Sequence, residues 1–247
     1  MSNLIEVRGV SKSYGGVVAN KDIDLDVADG KITGLIGPNG SGKTTLFNSV
    51  VGFHPIDGGS IKFEGKEISK LKVQEIARLG LLRTFQQTRI YRHMDCVQNM
   101  LISIPHRKHG FFDMFGRTAG ADTEKAESLL EFVGLYSKRK LAAGDLSFGQ
   151  QKLLEFAMAL MNEPRVLLLD EPTAGINPTL INGLIDRLKR ANTDFGITLL
   201  VIEHNMRVIM NMADTVYCLA HGEMLASGAP EDVQNDQRVI DAYLGAH

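Results

Sequence analysis

The chain has 247 residues, enough to bury a sizeable apolar interior in one large domain or in a core with an inserted subdomain. Its 27 Lys and Arg against 29 Asp and Glu leave a net charge of −2, which argues against the overall basic field of a nucleic-acid-binding domain. Cys96 and Cys218, the two cysteines, have neither disulfide-framework nor metal-ligand spacing and read as free thiols of a reducing compartment.

From the amino terminus, Met1-Ser2-Asn3-Leu4-Ile5-Glu6 lacks the basic and apolar regions of a signal peptide. No apolar run approaches the ~20 residues that span a bilayer. The chain is therefore expected to be cytoplasmic, with any membrane role reached through a partner. Leu4–Val10 and Ile23–Val27 alternate as half-buried strands, the second ending in an Asp29-Gly30 turn. Lys31–Ile36 is an apolar strand candidate and Thr44–Val51 a helix candidate. A further short strand is expected over Ser60–Phe63, and a helix from about Val73 to Gly80.

Residues 90–162 differ in character. Val97–Ser103, Thr123–Val133 and Gln150–Met161 are helical in pattern, with no convincing strand and with irregular stretches at Pro105–Gly110 and Gly116–Gly120. This segment reads as a helical insertion. The buried-type strands Val166–Asp170 and Ile197–Ile202 then follow. Continuous apolar strands alternating with helices predict a parallel sheet covered on both faces. Thr215–Leu219 and Glu223–Ser227 form a hairpin around His221-Gly222, followed by a short helix from Pro230 and a terminal one through Val239, Ile240, Tyr243 and Leu244.

Between the strand at 31–36 and the helix after it lies Gly37-Pro38-Asn39-Gly40-Ser41-Gly42-Lys43-Thr44-Thr45, a full match to G-x-x-x-x-G-K-[ST] in strand–helix context. Gly37, Gly40 and Gly42 can take backbone angles closed to other residues, so successive N–H groups can turn inward around a polyphosphate. The helix that follows directs its positive end at the same anion. Lys43 adds a point charge toward the β- and γ-phosphates, and the Thr44 hydroxyl is placed to ligate Mg²⁺. This predicts binding of a nucleoside triphosphate.

Asp170 closes an apolar strand, at the edge where α/β sheets bind ligands; such an aspartate holds Mg²⁺ beside a phosphate loop. Glu171, one residue on, is suited to polarise the attacking water as a general base. Leu146-Ser147-Phe148-Gly149-Gln150-Gln151 precedes an amphipathic helix with Ser147 as its N-cap, a second helix start with positive potential.

In that order, Gly37–Thr45, Leu146–Gln151, Val166–Glu171 and His204 resemble the ATP-binding-cassette (ABC) ATPases over essentially the whole chain. The family signature is usually L-S-G-G-Q; here Phe148 replaces the first glycine. The resemblance implies an α/β fold: a P-loop NTPase core with a parallel sheet, an N-terminal antiparallel β subdomain and an inserted helical subdomain. Residues 1–89 and 163–247 would form the core and tail, and 90–162 the helical part. Tyr14 matches the aromatic that stacks on adenine. Gln86, with Gln87 as the alternative, matches the glutamine loop that senses Mg²⁺ and the partner. His204 matches the switch histidine at the γ-phosphate, and Ser147, Gly149 and Gln150 match signature contacts to nucleotide. Ala174-Gly175-Ile176-Asn177 matches the D-loop; Asn177 stands where many relatives have aspartate and is not expected to be catalytic.

Arg83-Thr84-Phe85-Gln86, Ala174–Pro178, Ile202–Met206 and the ending Ala242-Tyr243-Leu244-Gly245 look like ATP-binding subunits of branched-chain amino acid importers. The insertion around Pro105–Gly120 suits the larger of two paralogous subunits. The resemblance thus implies an ATPase subunit that uses ATP and Mg²⁺ and lies at the cytoplasmic face of the membrane. Two subunits, identical or paralogous, would close head-to-tail, which accounts for two positive helix starts far apart in one chain. Polytopic permease subunits would dock near Gln86, Arg89, Ile90, Tyr91 and Arg92, and a solute-binding protein would act indirectly. The alternatives are a soluble ABC ATPase of assembly, repair or translation, a cassette for another cargo, and a phosphate-loop kinase. The kinase reading leaves Leu146–Gln151 and His204 without a role.

Overall fold

The computed structural model describes residues 2–84, 90–104 and 117–244, which divide into two compact units. In chain order the elements are β1 (Asn3–Tyr14), β2 (Val17–Ala28), β3 (Ile32–Ile36), α1 (Lys43–Val50), β4 (Gly58–Phe63), β5 (Lys66–Glu67), α2 (Val73–Arg78) and β6 (Leu81–Arg83). Next come α3 (Cys96–Ile102), α4 (Arg117–Phe132), α5 (Phe148–Leu160), β7 (Val166–Asp170), α6 (Pro178–Phe195), β8 (Thr198–Ile202) and α7 (Met206–Met210). The chain closes through β9 (Thr215–Ala220), β10 (Glu223–Gly228), α8 (Pro230–Gln234) and α9 (Gln237–Leu244).

The first unit comprises Met1–Arg83, Arg165–Pro172 and Leu188–His247. Among the described residues it carries an antiparallel sheet in the order β2-β1-β4-β5 and a second sheet in the order β10-β9-β3-β8-β7-β6. In the antiparallel sheet, Val7 pairs with Leu25 on one side and Ile61 on the other. Ile23, Leu25 and Val27 are buried while Asp24 between them is exposed, the period-two pattern of a one-sided sheet. In the second sheet β3, β7 and β8 are parallel, and every residue of all three is buried. This accounts for their unbroken apolar runs.

Helix α1 contributes Leu46, Phe47 and Val50 to a buried cluster that also holds Val7, Leu25 and Ile61 of one sheet and Leu35, Leu168 and Leu200 of the other. One fully buried phenylalanine such as Phe47 is worth roughly 1.5–3 kcal/mol relative to exposure. The helix after the phosphate loop is thereby anchored by its apolar side in the core of this unit. Because β3, β7 and β8 run in register (Leu35 with Ile202, Asp170 with Ile202), the chain leaves all three strands at one edge.

The second unit comprises Thr84–Pro164 and Thr173–Arg187. Its core includes Val97, Met100, Leu129, Leu130, Leu146 and Leu154. Asp95 caps α3 by accepting from the Gln98 N–H (2.7 Å), and Gln98 Oε1 accepts from the Asp95 N–H in return (2.9 Å). Asn99 is fully buried and fully used. It donates to the carbonyls of Tyr91, Met94 and Asp95 and accepts from the Tyr91 N–H. The expected 90–162 segment does not include Thr173–Arg187, which joins this unit because Arg187 Nε donates to Val133 O at 2.9 Å and its Nη1 to Gly183 O.

Two further differences are local. Helix α4 begins at Arg117 rather than Thr123, so Arg117–Gly120 is helical and not irregular. A single glycine among alanines costs a helix only about 1 kcal/mol. The described residues also include β6, α6 and α7, for which the sequence patterning gives no expectation.

Candidate functional site

The phosphate loop emerges from β3 and turns into α1 through three glycines with positive φ: Gly37 at 145°, Gly40 at 77° and Gly42 at 101°. At Gly37 a Cβ would lie 2.1 Å from Leu219 O, and at Gly42 it would lie 2.3 Å from Ala19 O, so neither position has room for a side chain. The loop is buttressed from outside its own motif. The Gly222 N–H of the β9–β10 turn donates to Ser41 O (3.1 Å), and buried Asn20 donates from Nδ2 to Gly42 O (3.2 Å). Helix α1 has Gly42 as N-cap with no side-chain cap. The N–H groups of Lys43, Thr44 and Thr45 precede the first intrahelical bond, from Leu46 N to Gly42 O.

Lys43 is 7% exposed, and its Nζ donates to Gly37 O (2.8 Å) and Pro38 O (2.9 Å). Burial lowers its pKa, while the charges of Glu171 and Asp170 act in the opposite sense. A desolvated ammonium at an uncapped helix start is an anion site in its electrostatics.

The two carboxylates after β7 have different environments. Asp170 is 2% exposed and is held by Arg83, whose Nη2 donates to Asp170 Oδ2 at 2.5 Å. Arg83 Nη1 donates to Asn48 Oδ1 on α1, and its guanidinium lies 5.8 Å from the Phe47 ring centroid. Asp170 is thus tied through one arginine to the helix of the phosphate loop. Glu171 departs from the strand with φ at 48°, a left-handed turn that a side chain adopts only at a cost of order 1 kcal/mol. Its N–H donates to Ile202 O (2.9 Å), and its Oε1 stands 3.7 Å from Nδ1 of the half-exposed His204. Lys43, Asp170, Glu171 and His204 therefore collect at one sheet edge of the first unit.

Tyr14, at the end of β1, is 47% exposed. Its ring stands edge-on to His54 (centroids 5.6 Å apart, planes at 88°), and Lys12 Nζ lies 5.5 Å from its centroid. Lys12 is fixed by Asp57 Oδ1 at 2.8 Å, and Asp57 Oδ2 accepts the Ser13 N–H at 2.7 Å. Burial, helped by the Lys12 charge, lowers the pKa of His54. Gln86 and Gln87 lie outside the described residues.

In the second unit, Ser147 and Gln150 form a capping box at the start of α5. The Gln150 N–H donates to Ser147 Oγ (3.4 Å) and the Ser147 N–H to Gln150 Oε1 (3.1 Å). Phe148 is 48% exposed and packs on Gly175, where a Cβ would lie 2.9 Å from the ring. Gly149 faces Leu180 in the same way, at 3.3 Å from its Cδ1. Asn177 spends its side-chain oxygen locally, accepting from the Thr179 N–H (3.1 Å) and Thr179 Oγ1 (2.9 Å) at the start of α6.

Arg83 and His54 are the site neighbours that sequence reasoning does not single out for a role at the site. Arg83 stands in the Arg83–Gln86 run noted for lineage, and the one signal for it is a charged residue ending an apolar stretch. His54 carries no motif.

Comparison with known proteins bears on this geometry. A family model described as "ABC transporter" matches residues 20–174, and one described as "Branched-chain amino acid ATP-binding cassette transporter" matches residues 223–247. The chain is 38% identical over 250 residues to the high-affinity branched-chain amino acid transport ATP-binding protein of Pseudomonas aeruginosa, covering 98% of each. It is 36% identical over 249 residues to the corresponding Salmonella typhimurium protein, again covering 98% of each. A solved ATP-binding cassette of an ABC transporter in its ADP conformation superimposes with a TM-score of 0.87 at 31% identity, over 99% of this chain and 100% of that one.

Proposed function

Since the chain belongs to the ABC transporter family of ATP-binding proteins, we propose that it is the ATP-hydrolysing subunit of an importer for branched-chain or other hydrophobic amino acids. It would drive transport through separate membrane subunits. The observation that carries this reading is the sheet edge at which the uncapped start of α1, buried Lys43, Asp170, Glu171 and His204 collect.

In this reading the N–H groups of Asn39–Thr45 that face the ligand, with Lys43, hold the polyphosphate, and Tyr14 offers its exposed ring to adenine. Glu171 accepts a proton from the attacking water, and His204 holds Glu171 and the γ-phosphate in one arrangement. Among the described residues no group of three or more His, Cys, Asp or Glu side chains could hold a metal ion by itself. The Thr44 hydroxyl and Asp170 carboxylate are hard oxygen donors that suit Mg²⁺ if phosphate oxygens and water complete the set, with Gln86 as a further ligand. When bound, Mg²⁺ neutralises charge on the phosphate oxygens.

Ser147, Gly149 and Gln150 would close over a nucleotide held by a second subunit, so that two chains in head-to-tail contact form each complete site. No described helix is long and apolar enough to cross a membrane. The chain would therefore sit peripherally, receiving a helix of the permease near Ile90, Tyr91 (54% exposed) and Arg92. A solute-binding protein would act through the permease.

The test has two arms. Phosphate release from ATP without an acceptor, lost in Lys43→Ala, supports an ATPase and counts against a kinase. Uptake of labelled leucine by cells carrying or lacking this subunit tests the cargo, and equal uptake would sink the amino-acid assignment.

A further inference from the structure

The phosphate loop has one tether that comes from the far end of the chain. Tyr243 Oη accepts the Gly37 N–H at 2.8 Å. Gly37 is the first residue beyond the parallel β3–β9 ladder, whose last pair is Ile36 with Cys218, so its N–H has left the sheet and needs another partner. On the other side of Gly37 there is no slack, because a Cβ there would meet Leu219 O. The residue that opens the loop is thus fixed between the β9 backbone and a side chain of α9.

Helix α9 is eight residues long, too short to persist in water without tertiary contacts. Val239 is buried, Ile240 and Leu244 are 37% and 69% exposed, and Tyr243 reaches inward. Burial pushes the Tyr243 pKa up to about 12, so the hydroxyl stays neutral and able to accept across the working pH range.

We infer that Tyr243 is a positioning residue for the nucleotide site: its hydroxyl fixes the first turn of the phosphate loop through Gly37, coupling ATP affinity to the docking of α9. Coupling is reciprocal, so whatever the docked tail adds to ATP binding, bound ATP adds to the docking of the tail. This rests on the reading of Gly37–Thr45 as an ATP site.

The experiment uses the full chain. ATP affinity is measured by calorimetric titration, and exchange of backbone amides in residues 237–244 is followed by mass spectrometry with and without ATP. Wild-type protein should show slower exchange in the tail when ATP is bound. Tyr243→Phe keeps the ring and removes the acceptor; its ATP dissociation constant should rise about two- to tenfold, the size of one net hydrogen bond, and the ATP-dependent protection should shrink. Leu244→Ala, which truncates an exposed side chain of the same helix and leaves buried Val239 and the Tyr243 hydroxyl in place, should keep wild-type affinity. Wild-type affinity in Tyr243→Phe overturns the proposal, as does an equal loss in Leu244→Ala. If Tyr243→Phe folds poorly, the wild-type comparison still decides, because tail exchange indifferent to bound ATP removes the coupling. A wild-type chain that binds no ATP fails at the first titration and takes the site reading down as well, which separates the two failures.

Discussion

Helix α1 opens at Gly42 with no side-chain cap, whereas α5 opens at Ser147 with a reciprocal Ser147–Gln150 capping box. Both starts carry motif residues and both point partial positive charge outward. They differ in what they lack. The N–H groups at the head of α1 precede any intrahelical partner and stand beside a buried lysine, so an anion is the natural complement to that end. The head of α5 satisfies two of its own donors, the Ser147 and Gln150 N–H groups, and has only the Phe148 and Gly149 N–H groups besides these ahead of its first intrahelical bond, from Gln151 N to Ser147 O. Under the proposed function the difference implies an order of events: nucleotide would engage the α1 start first, and the α5 start would join when a second, loaded subunit brings an acceptor to it.

If the chemistry belongs to the α1 side, Glu171→Gln should give the largest effect. Turnover should fall by ~10²–10⁴-fold, since the amide cannot take the water's proton. ATP binding should survive, because Glu171 borders the loop without supplying its donors. Phosphate release from purified protein, beside a binding titration, checks this; near-wild-type turnover would remove Glu171 from the role of base.

Lys43→Ala comes next. It removes the buried ammonium at the uncapped start, and the loss of charge-assisted hydrogen bonds worth roughly 1.5–3 kcal/mol should weaken ATP binding about 10- to 100-fold. Unchanged affinity in calorimetry would mean that the loop does not hold the polyphosphate, and the contrast between the two helix starts would lose its first half.

Tyr14→Ala asks whether the first site also grips the base. Stacking on an exposed aromatic face is worth about 1–3 kcal/mol, and a π-face reads neither edge, so ATP and GTP should lose affinity alike. His54 and Lys12 contact the ring itself and not the hydroxyl, so a Tyr14→Phe variant should keep the affinity. A Tyr14→Ala variant with full affinity for both nucleotides would return Tyr14 to a structural part.

How much of this was legible in the sequence depended on range. Val166–Asp170 is read to its own boundaries because a doubly covered strand must be apolar throughout and because a carboxylate ends it. The N-cap of α5 is legible from Ser147 at the head of an amphipathic pattern, and the structure adds Gln150 as its reciprocal partner. Helix α6 is missed although its signal is present: Pro178 at its first position and Leu184, Leu188 and Ala191 buried at helical spacing. Strand β6 offers only three residues, too few for any period to register. Arg83 on Asp170 spans 87 residues and Tyr243 on Gly37 spans 206, and no local pattern encodes a hydrogen bond at that separation. Motifs thus locate the groups that would touch a ligand, while the residues that hold those groups in place appear only in three dimensions.

The smallest expected effect tests the second half of the contrast. Ser147→Ala deletes the acceptor for the Gln150 N–H, and an N-cap of this type is worth ~0.5–2 kcal/mol. In a domain of this size that should lower Tm by only a few degrees. ATP affinity of the single chain should not change, because the box is no part of the α1 start. The functional loss should appear only where two chains meet. In a Glu171→Gln background, which preserves bound ATP, self-association measured by sedimentation should be weaker when Ser147→Ala is added. The cost of the lost cap and the cost of the lost partner contact are then read by two instruments, melting for one and association for the other. If Ser147→Ala instead weakens ATP binding by dilute monomer as much as Lys43→Ala does, the α5 start serves the same chain's nucleotide and the order of events inferred from the two helix starts is wrong.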